Sequence, residues 1–202
     1  DCTFPVCTDG IHNPLAGEDC DEGDDSYLCD ASCQHIGDFI FALDLSDADD
    51  LTVSLPLASG YDYNFTVDWG DGTTSEVTAF DDPDKTHTYS APGEYTVTVS
   101  GVMQAISFYE IPEGGKLRAV PNLGSVGWTN FQYAFRGCSE LASVAGGDTS
   151  GVTSMRAMFR DSPLVMPDTS TWDTSNVTDM QEMFDAASLA NPDTSQWNTG
   201  NV

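Results

Sequence analysis

Positive charge is scarce in this chain: 6 Lys and Arg stand against 33 Asp and Glu among 202 residues, a formal charge of −27. That excludes nucleic acid as a partner, because a polyphosphate needs a basic footprint, and it excludes attraction to an anionic membrane surface. No run of about 18 apolar residues is present, so membrane insertion is not expected. The start, Asp1-Cys2-Thr3, lacks the charged, apolar and small-residue layout of a secretion signal, and the chain reads as a soluble, already processed form. Hydrophobic residues still make up 40% of it, enough to bury a core, which argues against disorder.

Catalytic signatures are missing too. There is no HExxH, no G-x-S-x-G and no glycine-rich phosphate loop, and His12, His35 and His87 lie in three different contexts. Cys138, the one cysteine outside residues 1–37, falls among residues that pack inward and reads as a buried, inert thiol rather than a nucleophile. The chain is therefore expected not to be an enzyme.

What is present divides into three modules. Residues 1–37 hold 9 acids, no Lys or Arg, and Cys2, Cys7, Cys20, Cys29 and Cys33. A segment with so few large apolar side chains cannot fold on burial alone and needs covalent or metal staples. Disulfides in an oxidising compartment are the favoured reading. Structural zinc is the competing one, although His12 and His35 do not fall into tight pairing with the thiols. Asp9, Glu18, Asp21, Asp24 and Asp25 would repel one another in such a head unless a cation offsets them, and hard oxygen ligands select calcium as a structural cofactor. The alternative is that these carboxylates are simply solvated, since no strict EF-hand spacing is present.

The spacing Cys7-x12-Cys20-x8-Cys29-x3-Cys33, with Cys-Thr-Asp-Gly-Ile at 7–11, resembles the short acidic cysteine-rich repeat of bacterial extracellular proteins. The resemblance implies disulfides among those four cysteines, with Cys2 as an addition, and leaves the pairing open.

Residues 38–101 read as β throughout. Phe39 to Leu45 is mostly apolar, Leu51, Val53, Leu55 and Leu57 alternate with small or polar residues, and Asn64–Trp69 and Tyr95–Ser100 repeat the period of two. Asp71-Gly72 is a strong hairpin dipeptide, and Pro92-Gly93 suits a type II turn. The segments Val67-Asp-Trp-Gly-Asp-Gly-Thr73 and His87-Thr-Tyr-Ser-Ala-Pro-Gly-Glu-Tyr-Thr-Val-Thr-Val-Ser-Gly101 resemble the PKD domain, which implies an immunoglobulin-like sandwich with Tyr95 as a tyrosine corner. Asp68 and Asp71, with Asp81, Asp82 and Asp84 in a following loop, could share a cation across two loops. Turn chemistry explains Asp71 equally well.

Residues 102–202 contain a repeat, preceded by a linking segment at 102–127. Asp148-Thr-Ser-Gly-Val-Thr-Ser-Met-Arg-Ala-Met-Phe159 recurs at Asp173–Phe184, 25 residues on, and Asn198–Val202 begins a further copy. A degenerate copy starts at Trp128, so the repeats span 128–202 and are incomplete at the C-terminus. Such a unit cannot bury its own apolar face, so copies are expected to stack as a solenoid. Val152, Met155, Met158, Phe159, Trp172, Val177, Met180, Met183, Phe184 and Trp197 are the expected core ladders rather than a ligand groove. Val-Thr-x-Met is expected to be the short strand and x-Met-Phe a tight helical turn. Because the last copy stops after five residues, either the natural chain continues or another copy docks on the open end and propagates a fibre.

The signature Trp172-Asp-Thr-Ser-Asn-Val-Thr-Asp-Met180 resembles the BspA-type leucine-rich repeat surface proteins, although leucine is sparse here. The expected fold is mainly β: a small disulfide-rich head, an immunoglobulin-like sandwich and a leucine-rich-repeat-like solenoid. The resemblance implies a secreted or surface-attached protein, with adhesion to a protein or matrix partner, or to itself. The rival reading is a glycan-binding accessory region of a larger secreted hydrolase. An ice-binding face on the Thr-Ser pairs at 149–150, 169–170, 174–175 and 194–195 is a third.

Overall fold

The structure, a computed structural model, describes residues 37–109 and 112–202. The head cysteines Cys2, Cys7, Cys20, Cys29 and Cys33 and the carboxylates Asp9, Glu18, Asp21, Asp24 and Asp25 lie outside the described residues. Within them the protein is mainly β, with nine strands and only short 3-10 turns for helix.

Strand β1 (Phe39–Asp44) buries Phe39, Phe41 and Leu43 and leaves Ile40, Ala42 and Asp44 half-buried, so its apolar run has one core face. β3 (Tyr63–Asp68) buries Tyr63, Phe65 and Val67, and β6 (Glu94–Met103) buries Val97, Val99 and Met103. With β4 (Thr74–Val77) these strands pair antiparallel in the order β4-β3-β6-β1. The alternation from Leu51 to Leu57 yields only a three-residue strand, β2 (Thr52–Ser54), paired with β5 (Thr86–Thr88). Val53, with Leu55 and Tyr89 beside the pair, enters the same core as β1, β3 and β6.

The β3–β4 hairpin closes through Trp69 N–H donating to Thr73 O at 3.1 Å. Gly70 makes that closure possible, because its φ is +78° and a Cβ there would lie 2.2 Å from Thr96 O. The Pro92-Gly93 expectation is corrected: Gly93 does not adopt the left-handed φ that a type II turn requires. Its carbonyl instead accepts from Leu45 N–H at 2.8 Å, tying the loop to the end of β1.

The linking segment contributes β7 (Leu117–Asn122), which pairs antiparallel with the free edge of β1, setting Ala42 opposite Ala119 and Leu43 opposite Leu117. β8 (Ser143–Val144) and β9 (Met166–Pro167) then add in parallel. One seven-stranded sheet, β4-β3-β6-β1-β7-β8-β9, therefore runs from the sandwich into the repeats. Further bonds reinforce the junction: Met103 N–H donates to Val126 O, Thr129 N–H to Gln104 O and Ser125 N–H to Gly37 O. The sandwich thus covers the first face of the stacked copies, where a repeat array needs an end piece.

Within the repeats the local expectations need correcting. Val-Thr-x-Met supplies only an isolated bridge, Ser154 to Asp179, and the parallel strands lie elsewhere, at Ser143–Val144 and Met166–Pro167. The x-Met-Phe segment is not helical. Met158 N–H donates to Met155 O and Ser162 N–H to Phe159 O, with Ala157 (φ 49°) and Asp161 (φ 60°) at the third positions of these turns. The alternate amides of Met155, Ala157, Phe159 and Asp161 cross to the carbonyls of Asp179, Gln181, Met183 and Asp185 in the next copy. A helix would keep all of these amides within one copy; the flattened turns release every second one for stacking.

The core of the stack is a column of parallel rings. Phe108, Phe135, Phe159 and Phe184 follow one another at centroid separations of 6.2, 5.7 and 5.6 Å. Val152, Met155, Met158, Phe159, Trp172, Val177 and Met183 are buried. Met180, Phe184 and Trp197, in the last complete copy, are partly buried and pack against that core.

Candidate interaction surface

At the loop end of the sandwich, the Trp-Gly-Asp-Gly and His-Thr-Tyr segments converge. His87 Nε2 lies 2.8 Å from Asp71 Oδ2, linking β5 to the β3–β4 hairpin. The His87 ring stacks on Trp69 at 5.0 Å and meets Tyr89 edge-on at 4.6 Å. Tyr89 donates its hydroxyl to Trp69 O at 2.9 Å, and Tyr95 donates to Ala91 O at 2.7 Å, four residues upstream. Tyr95 therefore makes the local bond of a tyrosine corner, while Tyr89 reaches the distant carbonyl.

The carboxylates of these loops serve turns. Asp71 accepts from Thr73 Oγ1 and N–H as well as from His87, and those bonds, the Thr73 hydroxyl first, hold its carboxyl below the usual range. Asp68 accepts from Gly70 N–H, and Asp82 accepts from the amides of Thr78 and Asp84. Asp68, Asp71, Asp81, Asp82 and Asp84 are not brought together: among the described residues no group of three or more His, Cys, Asp or Glu is placed to hold a metal ion. For Asp68 and Asp82 the physical reason is local, since the turn amides they accept from fix them to their own loops.

In the repeats the Asp-Thr-Ser triplet divides its work. Asp148, Asp168, Asp173 and Asp193 each accept from the amide of the serine two residues on, closing a turn within the copy. Thr149, Thr169 and Thr174 turn inward and donate to the carbonyls of Asp173, Asp193 and Asn198 in the next copy, at 3.0, 2.8 and 3.2 Å. These three threonines are buried, so the Thr-Ser pairs do not present the hydroxyl array that an ice-binding face requires. Asn176 and Asn201 bridge back to Ser150 O and Ser175 O. The stacking roles of these threonines and asparagines were not read from the sequence, although their 25-residue recurrence was visible there.

Cys138 is fully buried, and burial pushes its thiol up to about 12. Its amide donates to Ser162 Oγ, which donates on to Phe135 O. It is a packing residue.

The surface carries two features that the sequence did not announce. Tyr109 and Tyr133 form a half-buried pair with centroids 5.2 Å apart, and the Arg136 guanidinium lies 4.1 Å over the Tyr109 ring. At β9 and in the turns beside it, Leu164, Met166 and Leu189 are 40%, 58% and 52% exposed. Between these features the arginines are engaged: Arg160 pairs with Glu182 and Asp185, Arg136 with Asp161 and Arg156 with Asp179. No helix among the described residues is long and apolar enough to cross a membrane.

Compared with known proteins, residues 45–104 match the family model of the PKD domain. Residues 129–202 match a family described as Mycoplasma protein of unknown function, DUF285. The chain is similar to these families over those two segments, which supports the PKD-like and surface-protein resemblances read from the sequence. No curated protein and no solved structure matches it.

Proposed function

We propose that the chain belongs to an extracellular, surface-type protein whose repeats, stacked as a leucine-rich-repeat-like solenoid, mediate adhesion or matrix assembly without catalysis. The two family matches support the surface-type reading. The observation that carries the role of the repeats is the division of labour in their side chains. Phe, Met, Val and the triplet threonines are spent on stacking, which leaves a periodic outer face of Asp, Ser and strand residues for contact. The sandwich is a spacer that also ends the stack. Binding of the 202-residue chain to immobilised extracellular-matrix proteins, compared with its binding to a glycan array, tests this. Saturable matrix-protein binding is expected, and strong binding to sugars alone overturns it.

A second reading, carbohydrate binding, is supported by the half-buried Tyr109–Tyr133 pair, where a sugar would stack on ring area not already covered by the Arg136 guanidinium. Tyr133→Ala would then abolish glycan binding while leaving matrix binding intact. For residues 1–37, disulfide staples and structural calcium remain part of the proposal. Non-reduced peptide mapping and unfolding with and without chelator test them, and alkylatable thiols or an indifferent melting curve refute them.

A further inference from the structure

The exposed apolar side chains of the repeats are gathered rather than scattered. Met166 opens β9 and Leu164 stands in the turn just before it; the two flank buried Val165 and are themselves exposed. Leu189 stands one 25-residue copy after Leu164, and its amide bonds to Pro163 O, which sets the two leucines side by side. Residue 164 has its successor, Leu189, stacked beside it and is still 40% exposed. Its exposure is thus a property of the outer face.

Carboxylates surround this patch. Met166 is paired with Ser143 in the parallel ladder, and Glu140 stands in the turn three residues before Ser143. Asp168 and Asp193 form the column on one flank, tied by Thr169 bonding to Asp193 O. Asp185 lies on the other, with Arg160 already paired to it and to Glu182. Glu140 and Asp185 are about half exposed, at 49% and 54%. Arg118, beside Glu140, is shared with Asp44.

An apolar centre with an acidic rim selects its partner. A second copy of this chain would bring the same rim and another −27 charge against it. A sugar would find no aromatic face there. We propose that Leu164, Met166 and Leu189 form the docking site for a cationic amphipathic polypeptide segment, whose apolar side chains cover the patch and whose Lys or Arg residues meet Glu140, Asp168, Asp185 and Asp193. The inference rests on the reading of the repeats as the contact-bearing part and names the chemistry of the partner.

The test uses the 202-residue chain and three synthetic peptides of equal length: alternating Lys and Leu, Lys alone, and alternating Glu and Leu. Saturable binding of the Lys-Leu peptide is expected, with weaker binding of oligolysine and none of the Glu-Leu peptide. Leu164→Ser with Met166→Ser, both at exposed positions and checked for an unchanged melting curve, should weaken Lys-Leu binding about tenfold or more and leave oligolysine unaffected. Equal binding of Lys-Leu and oligolysine, or no effect of the double variant, overturns the patch and leaves the matrix-binding assay to judge the broader reading. Self-association abolished by the double variant overturns it in favour of a second copy as occupant.

Discussion

The hydroxyl of Thr149 donates to the main-chain carbonyl of Asp173, 24 residues further on, at 3.0 Å. Thr149 is buried, and its part-buried bond joins one repeat to the next at a fixed register. Thr149→Val should destabilise the chain by about 1–2 kcal/mol, because the shape is kept and the Asp173 carbonyl loses its partner. Thr149→Ser, which keeps the donor, should cost less. Urea unfolding of both variants checks the difference, and equal losses would mean that packing alone holds this position.

Gly70 and Gly72 share left-handed φ values, +78° and +89°, but only Gly70 is crowded. Alanine at 72 meets nothing within 4 Å and should cost about 1 kcal/mol, the strain of the left-handed conformation. Alanine at 70 must also displace Thr96 O and should cost clearly more, about 3 kcal/mol or above. Thermal melts of the two variants side by side measure the gap.

Ala186 adopts φ 58° at the repeat position that Gly137 fills in the first copy. Ala186→Gly should therefore raise stability by about 0.5 kcal/mol, the released strain exceeding the extra chain entropy of glycine. A lower melting point for this variant would show that the strain is offset by contacts of the methyl group.

Acid should unfold the protein by a defined route. Asp168 and Asp173 are held below their ordinary value of 3.8, first by the hydroxyls of Ser170 and Ser175 and then by the amides of those residues. Asp193 is held low first by the Ser195 amide. A depressed folded value means that the unfolded chain binds more protons in acid. The stability these groups supply is complete above 3.8 and is lost as the pH falls through their lower folded values. Melting temperature between pH 2 and 6 should drop steeply at the acid end, and Asp173→Asn should make that drop shallower.

How much of this was legible depended on what kind of signal each element leaves. The 25-residue recurrence and the inward side chains Val152, Met155, Phe159 and Val177 were readable because identical burial recurs at fixed spacing. β1, β3 and β6 were readable because each runs six residues or more with a clear apolar face. β8 and β9, two residues each, are too short to show a period. The turns at Ala157 and Glu182 use left-handed residues other than glycine, so the usual punctuation is missing. β7 looked like a linker because its partner, β1, lies some 75 residues earlier, as with Leu43 opposite Leu117. Asp68 and Asp82 looked like ligands because a carboxylate that caps a turn and one that awaits a cation have the same letter in the sequence.

The shared sheet sets an order of assembly. β1 supplies one edge to β6 and the other to β7, and each later copy needs the edge of the copy before it. In synthesis from the N-terminus, the sandwich is complete before the first repeat emerges, so every repeat arrives at a finished template only about two dozen residues behind it. The loop to be closed is then the same at each step, and its entropy does not grow with the number of copies already in place. An array built this way lengthens at constant cost per copy, and its slow event is the formation of the first rung.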